Sequence, residues 1–285
     1  MNSIVQTRPR GKIQYMRILV YAILIAGSFL MITPFVWLLR SSLMDNNQIF
    51  IFPPQWIPSP FKWSNFSEAL TTAPFLTYFI NTMTIELFVT SGVLISSTLA
   101  AYSFARLRWP GRDTVFGILL TTLMMPYAVT LIPTFMFWRF LGAIDSYLPL
   151  IIPAWFGGGA FNIFLMRQFF MTIPKELEEA AYIDGAKPFT VVWKVILPLA
   201  KPAFIVISIF TFIDVWNDFL GPLIYLNSSD KFTLAIGLNS FKGELHAQWG
   251  YLMAASLAIV MPIIVLFFVA QRYFIEGIAL TGIKG

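Results

Sequence analysis

Cysteine is absent from this chain, histidine occurs once, and only 12% of the 285 residues are charged. Without cysteine there are no disulfides, no thiol chemistry and no thiolate metal site. The single histidine, His246, has neither an H-E-x-x-H pair nor a cysteine around it. It therefore reads as a solvated loop residue, and no metal site or serine triad is expected. The phosphate-binding pattern G-x-x-x-x-G-K-[ST] is missing too. Gly11–Lys12 has Gln6 where the upstream glycine belongs and Ile13 after the lysine. ATP binding through a P-loop is excluded, and no catalysis is expected. Nothing repeats at a fixed period, and no low-complexity tract is present.

What fills the chain instead is apolar sequence, 58% hydrophobic with a mean hydropathy of +0.74. Soluble domains carry about 25% charged residues, twice the fraction found here. A bilayer core about 30 Å thick takes about 20 apolar helical residues. Residues 18–39, 115–138, 147–166 and 249–270 contain no charge. Residues 79–104 contain only Glu86, and 203–226 only Asp214 and Asp218. These are six expected spans in an all-α membrane protein. None shows the alternation of a β-barrel strand. The first run, 22 residues long, exceeds the 7–15 residues of a signal peptide's apolar region, and no A-x-A site follows it. It reads as a retained helix.

Six spans put both termini on one side. Fourteen of the 19 basic residues then fall on that side, which is expected to be cytoplasmic, together with residues 167–202. The net charge of +5 follows this topology and the anionic head groups of the lipid bilayer, and needs no nucleic acid. The expected organisation is a cytoplasmic segment 1–17, one transmembrane domain 18–275 and a cytoplasmic tail 276–285. Residues 40–78, with "IFPPQWIPSPFKW", read as an irregular interfacial lid, and 227–248 as a second polar outer loop. Pro126 and Pro133 in the third span, and Pro149 and Pro153 in the fourth, point to kinked or interrupted helices. Gly157–Gly159 fit either an interruption or close helix packing, with packing favoured.

The middle of the chain gathers its charge into one stretch, "ELEEAAYIDG" over 176–185. Pro174 suits a first helical turn, and Glu176, Glu178 and Glu179 sit at the positive end of the dipole. Gly185 supplies a left-handed stop, so a helix is expected over about 174–184. Leu177, Ala180, Ala181 and Asp184 share one low face at i, i+3, i+4, i+7. A second short helix follows, opened by Pro188 and ended by Pro198. From pattern alone, a solvated surface helix and a docking element remain equal readings.

The stretch from Glu179 to Pro198 resembles the EAA loop of ABC-importer permeases. Glu179, Ala180, Ala181, Gly185, Val195, Leu197 and Pro198 stand at that motif's places, with valine where isoleucine is commoner. "LAAYSFARLRWPGRD", "IPKELEEAAYIDGA", "WNDFLGPLIYL" and the closing "GIKG" are similar to the second permease of carbohydrate importers of the maltose type. The likeness runs from about residue 81 to the end, and before that lies mainly in hydropathy. It implies a type I importer permease in a prokaryotic inner membrane. Its partners would be a second permease, two ATP-binding subunits that carry ATP and Mg, and an extracytoplasmic solute-binding protein. This chain would bind no cofactor itself. Glu178, Glu179, Ala180, Ala181, Asp184, Gly185, Ala186, Leu197 and Pro198 would dock on an ATPase. Gly282, Lys284 and Gly285 would reach between the two ATPase subunits, and loop 227–248 would touch the binding protein.

Ionisable groups within spans are costly and mark function by default. Asp214, Asn217 and Asp218 are candidates for a path for a sugar or oligosaccharide, with an interhelical hydrogen bond as the alternative. Glu86 ranks below them. An ion-coupled secondary transporter, a scaffold, and an importer of a non-sugar solute such as glycerol phosphate are the competing functions.

Overall fold

The structure, a computed structural model, describes residues 10–243 and 247–282, with side chains described over 15–243 and 247–271. His246, Lys284 and Gly285 lie outside the described residues. Among those described the chain is helical, with no strand. It opens with α1 (Arg10–Ser42), short α2 (Asn46–Ile49), α3 (Ser64–Thr72) and α4 (Phe75–Arg106). Next come α5 (Arg112–Thr121), a 3-10 turn (Thr122–Met124), α6 (Tyr127–Phe140), α7 (Leu148–Trp155) and α8 (Ala160–Thr172). The central loop holds α9 (Glu176–Ile183), α10 (Pro188–Val191), a π turn (Val192–Ile196) and α11 (Leu197–Leu199). Last are α12 (Lys201–Asn217), α13 (Leu220–Tyr225), α14 (Leu234–Asn239) and α15 (Trp249–Gly282). The lid at 40–78 is thus irregular only between short helices, and α15 continues through the first part of the expected tail.

Four segments are long and apolar enough to cross a bilayer alone: Tyr15–Ser42, Phe75–Arg106, Leu148–Thr172 and Trp249–Gln271. Two bent pairs bring the number to six. The third expected span turns by 99° between Met124 and Tyr127. Pro126 causes this, because it forces Met125 out of the helical region to ψ 118°. The loop helix Pro188–Leu199 meets α12 at 82°. The fifth expected span, 203–226, stops at Asn217 and restarts at Leu220. Pro222 has no N–H to offer the Asp218 carbonyl and its ring would clash there, which favours a break at this point. In the fourth span, Gly157, Gly158 and Gly159 all have positive φ, 120°, 63° and 85°. They break the helix, and at Gly158 they also let it approach α4. Both expectations for that triplet therefore meet at one place.

Two apolar cores sit at opposite ends of α4. Near its C-terminal end, Val93, Ala101 and Tyr102 pack with Phe170, Val191, Ile196 and Ile207. Near its N-terminal end, Phe75 and Tyr78 pack with Ala69, Trp216, Leu234, Phe241 and Leu252. Residues 227–243 are folded down here through α14, so this loop is not wholly polar. Helix α1 leans on α15 and exposes apolar side chains along its length, Phe29 and Leu30 among them. A lipid solvent makes such exposure stable.

At the α14 end, Asp145 ties two turns together. It sits at φ 59°, a strained value for an aspartate that its bonds sustain. Its carboxylate accepts hydrogen bonds from the Asn227 amide (3.0 Å), the Ser228 amide (2.9 Å) and hydroxyl (2.6 Å), and the Lys231 ammonium (2.9 Å). The Ser228 bonds, then Lys231, hold this carboxyl well below the usual carboxylate range. A lowered folded pKa adds stability above the unfolded pKa of about 3.9 and loses it as pH falls further. The purified protein is therefore expected to melt at a level temperature from about pH 8 to 5 and at falling temperature below about pH 4. Asp145→Asn should melt lower at neutral pH and show a shallower acid limb. An acid limb identical in both proteins would refute the role of this carboxylate.

Candidate docking surface and ionisable path

Helix α9 forms as its local sequence requires. Glu176, Glu178 and Glu179 occupy its first turn, and Gly185 ends it at φ +82°. The Gly185 amide donates to the Tyr182 carbonyl (3.0 Å) and the Ala186 amide to the Ala181 carbonyl (2.9 Å). That is the doubly bonded left-handed stop in which glycine is preferred. Among the described residues, its chain neighbours aside, no atom lies within 4 Å of where a side chain at 185 would begin.

Glu179, Ala180, Ile183, Asp184 and Gly185 are exposed, and Ile183 is 86% exposed. Phe189, at the start of the second loop helix, is 64% exposed. Glu178 is buried, while Ala181 and Ala186 are half-buried against the core below. The outward face therefore differs from the expected one. Ala181 turns inward with Glu178, three residues before it, Tyr182 stays exposed while its hydroxyl reaches Tyr102, and Ile183 takes a place on the outside. Pro198 does not end the second helix, which runs to Leu199. Because Pro198 leaves the Lys194 carbonyl without a donor, the backbone widens into a π turn at 192–196 and continues. Leu197 is half-buried and Pro198 exposed.

Beneath α9 lies a buried ion pair not anticipated from the sequence. The Arg106 guanidinium lies 2.6 Å from the Glu178 carboxylate, and both side chains are nearly inaccessible. Arg106 also donates to the carbonyls of Phe170 (2.7 Å) and Ile173 (2.6 Å) at the end of α8. The Tyr102 hydroxyl donates to Glu178 (3.3 Å) and lies 3.1 Å from the Tyr182 hydroxyl. One arginine thus joins α4, α8 and α9. Its only signal in the sequence, a basic residue in the last turn of a span, was indistinguishable from the charge bias that sets topology.

The expected path residues separate in space. Asp214 and Asn217 are exposed on α12, and the Asn217 amide bonds back to the Ile213 carbonyl (2.7 Å). Asp218 is half-buried at the helix break, where its carboxylate accepts from the Gly221 amide (3.0 Å) and so starts α13. It borders a cavity of about 60 Å³ lined also by Thr82, Val89, Leu150, Val215 and Thr233. The Thr233 hydroxyl is buried there without a partner, which suits a cavity holding a few waters or a hydroxyl group. The sequence reading missed Thr82 and Thr233. Glu86 is buried on α4 and is not among the lining residues; Thr90 donates to one of its oxygens and the other has no partner. Among the described residues, no group of three or more His, Cys, Asp or Glu side chains is placed to hold a metal.

Residues 92–279 match the family model described as the binding-protein-dependent transport system inner membrane component. The chain belongs to that family. Two curated relatives align over most of their length. The sn-glycerol-3-phosphate transport system permease protein UgpE of Yersinia enterocolitica is 33% identical over 266 residues, covering 90% of this chain and 94% of the relative. The arabinooligosaccharides transport system permease protein AraQ of Halalkalibacterium halodurans is 34% identical over 246 residues, 86% of each chain. Among solved structures, the bacterial ABC transporter involved in import of the acidic polysaccharide alginate superposes with a TM-score of 0.82 at 25% identity. That match covers 95% of this chain and all of the other. The family membership and the type I importer permease fold are as the EAA resemblance implied.

Proposed function

We propose that this chain is one of two permease subunits of an ATP-driven importer for a sugar or oligosaccharide, with no ATPase site of its own. The observation that carries the proposal is the exposed ridge of α9, where Glu179, Ala180, Ile183 and Asp184 stand free beside an open Gly185. A solvated helix has little use for an isoleucine and a phenylalanine facing water, whereas a docking helix anchors through them. On this reading ATP and Mg reside on two partner subunits that grip α9. Both termini are cytoplasmic in a prokaryotic inner membrane, and an extracytoplasmic binding protein delivers the solute at the α14 end.

One relative carries glycerol phosphate in its name and another arabinooligosaccharides, so the two solute classes compete. The cavity beside Asp218 favours the neutral one. Its lining offers a carboxylate and the unpartnered Thr233 hydroxyl but no cation, and a phosphate would be repelled there. In proteoliposomes containing the full complex and its binding protein, ATP-dependent uptake should be competed by neutral oligosaccharides and not by glycerol 3-phosphate. Competition by the phosphate alone would reverse the assignment.

A further inference from the structure

Proline interrupts or enters five of the six crossings. Pro34 lies inside α1, Pro133 inside α6, Pro153 inside α7 and Pro262 inside α15, while Asp218–Phe219 separates α12 from α13. Of the six crossings, only the one formed by α4 carries no proline, over 32 residues, about 48 Å at 1.5 Å per residue. Side-chain bonds pin both of its ends. At one end Tyr102 and Arg106 hold α9 and the end of α8. At the other, the Asn81 amide donates to the carbonyls of Asp230 (2.8 Å) and Phe232 (2.9 Å), and the Thr82 hydroxyl accepts from the Leu234 amide (3.0 Å). These three backbone groups belong to the loop that carries α14. Between the ends, the Ser96 hydroxyl donates to the Ala154 carbonyl (2.9 Å), and the Trp155 ring lies against Gly92.

We infer that α4 is a transmission rod joining the outer loop 227–243 to the docking helix α9, with Asn81 and Arg106 as its positioning residues. This rests on the importer reading above. A break at proline or glycine absorbs a displacement by bending, whereas an unbroken, packed helix carries it along its axis. A binding protein pressing on loop 227–243 then biases α9, and an ATP-driven shift of α9 biases the outer loop by the same free energy. The buried Arg106–Glu178 pair suits this task, because a desolvated, multiply bonded arginine holds one geometry.

The test uses the complete complex in lipid nanodiscs, with ATP hydrolysis measured with and without the solute-loaded binding protein. Asn81→Leu frees the outer end; Arg106→Lys keeps the charge but loses the three-way reach at the inner end. Each should retain basal hydrolysis and copurification with the ATPases while stimulation falls about tenfold, within the usual range of allosteric couplings. The double variant should be no worse than either single one, since both cut one serial link. Sites this far apart would add their effects if they acted independently. Arg106→Ala should repeat the Arg106→Lys result wherever it assembles. Normal stimulation in Asn81→Leu or Arg106→Lys, or additive losses in the double variant, would overturn the rod. A wild-type complex that hydrolyses ATP without response to any binding protein would overturn the importer reading itself.

Discussion

Glu179→Lys and Gly185→Val should each abolish uptake while the protein still inserts and accumulates in the membrane. The two act by different physics. Glu179 is exposed in the first turn of α9, and reversing its charge costs the isolated helix only about 0.3–1 kcal/mol of dipole interaction. Folding should barely register it. In a buried docking contact the same reversal costs roughly 2–5 kcal/mol, a loss of about 30-fold to more than 1,000-fold in affinity for the ATPase. Gly185 is held at φ +82°, which a β-branched residue adopts only at a cost of about 1–3 kcal/mol. The space around it is open among the described residues, so the remaining damage falls on whatever approaches from outside. Gly185→Asn separates the two effects, since asparagine tolerates the left-handed region yet still places a side chain in the contact. Transport assays with copurification of the ATPase subunits check all three. Wild-type uptake by Glu179→Lys would remove α9 from the docking role.

Much of this surface was legible because its determinants are local. The prolines at 174 and 188, three glutamates in one turn and a glycine stop specify helix, gap and helix without reference to the rest of the chain. Which side faces out was not legible. Ala180 and Ala181 are alike in sequence, and only the Tyr102–Arg106–Glu178 cluster, some 70 residues apart along the chain, turns one outward and the other inward. The same limit applies to the lid. Asn65 is almost fully buried because its amide donates to the Ser42 and Met44 carbonyls, both at 2.9 Å. Nothing in the proline-rich stretch before it announces that contact, so α3 was read as irregular chain.

The breaks in the spans divide along similar lines. Pro126 marked the 99° bend in the third span directly, since a proline restricts the residue before it. For the fifth span the signal was present four residues downstream of the break, as Pro222, but the hydropathy of 203–226 is continuous and masked it. Hydropathy reports what the bilayer accepts, and backbone donors decide where a helix stops. Asp218 gains its place beside the cavity from that stop, so its relation to Thr82 and Thr233 required tertiary structure.

Gly158→Val should prevent assembly of the membrane domain. A Cβ at this position would lie 2.8 Å from both the Ser96 hydroxyl and the Val93 carbonyl oxygen, and 3.0 Å from the Ser97 Cβ. The Ser96 hydroxyl can turn away only by giving up its bond to the Ala154 carbonyl, and the Val93 carbonyl belongs to the continuous, proline-free α4 and has nowhere to move. Overpacking of this kind costs about 1–3 kcal/mol, on top of about 1–3 kcal/mol for a valine at φ +63°. Gly142 offers the matched control: its φ is +66° and, among the described residues beyond its chain neighbours, no atom lies within 4 Å of its missing Cβ. Gly142→Val therefore suffers the backbone cost alone, and the difference between the two variants isolates the contact with α4. The yield and melting temperature of monodisperse protein should fall steeply for Gly158→Val and modestly for Gly142→Val. Equal losses would mean that the glycine triplet serves only to break the fourth span, and that its close approach to α4 contributes nothing to holding the bundle together.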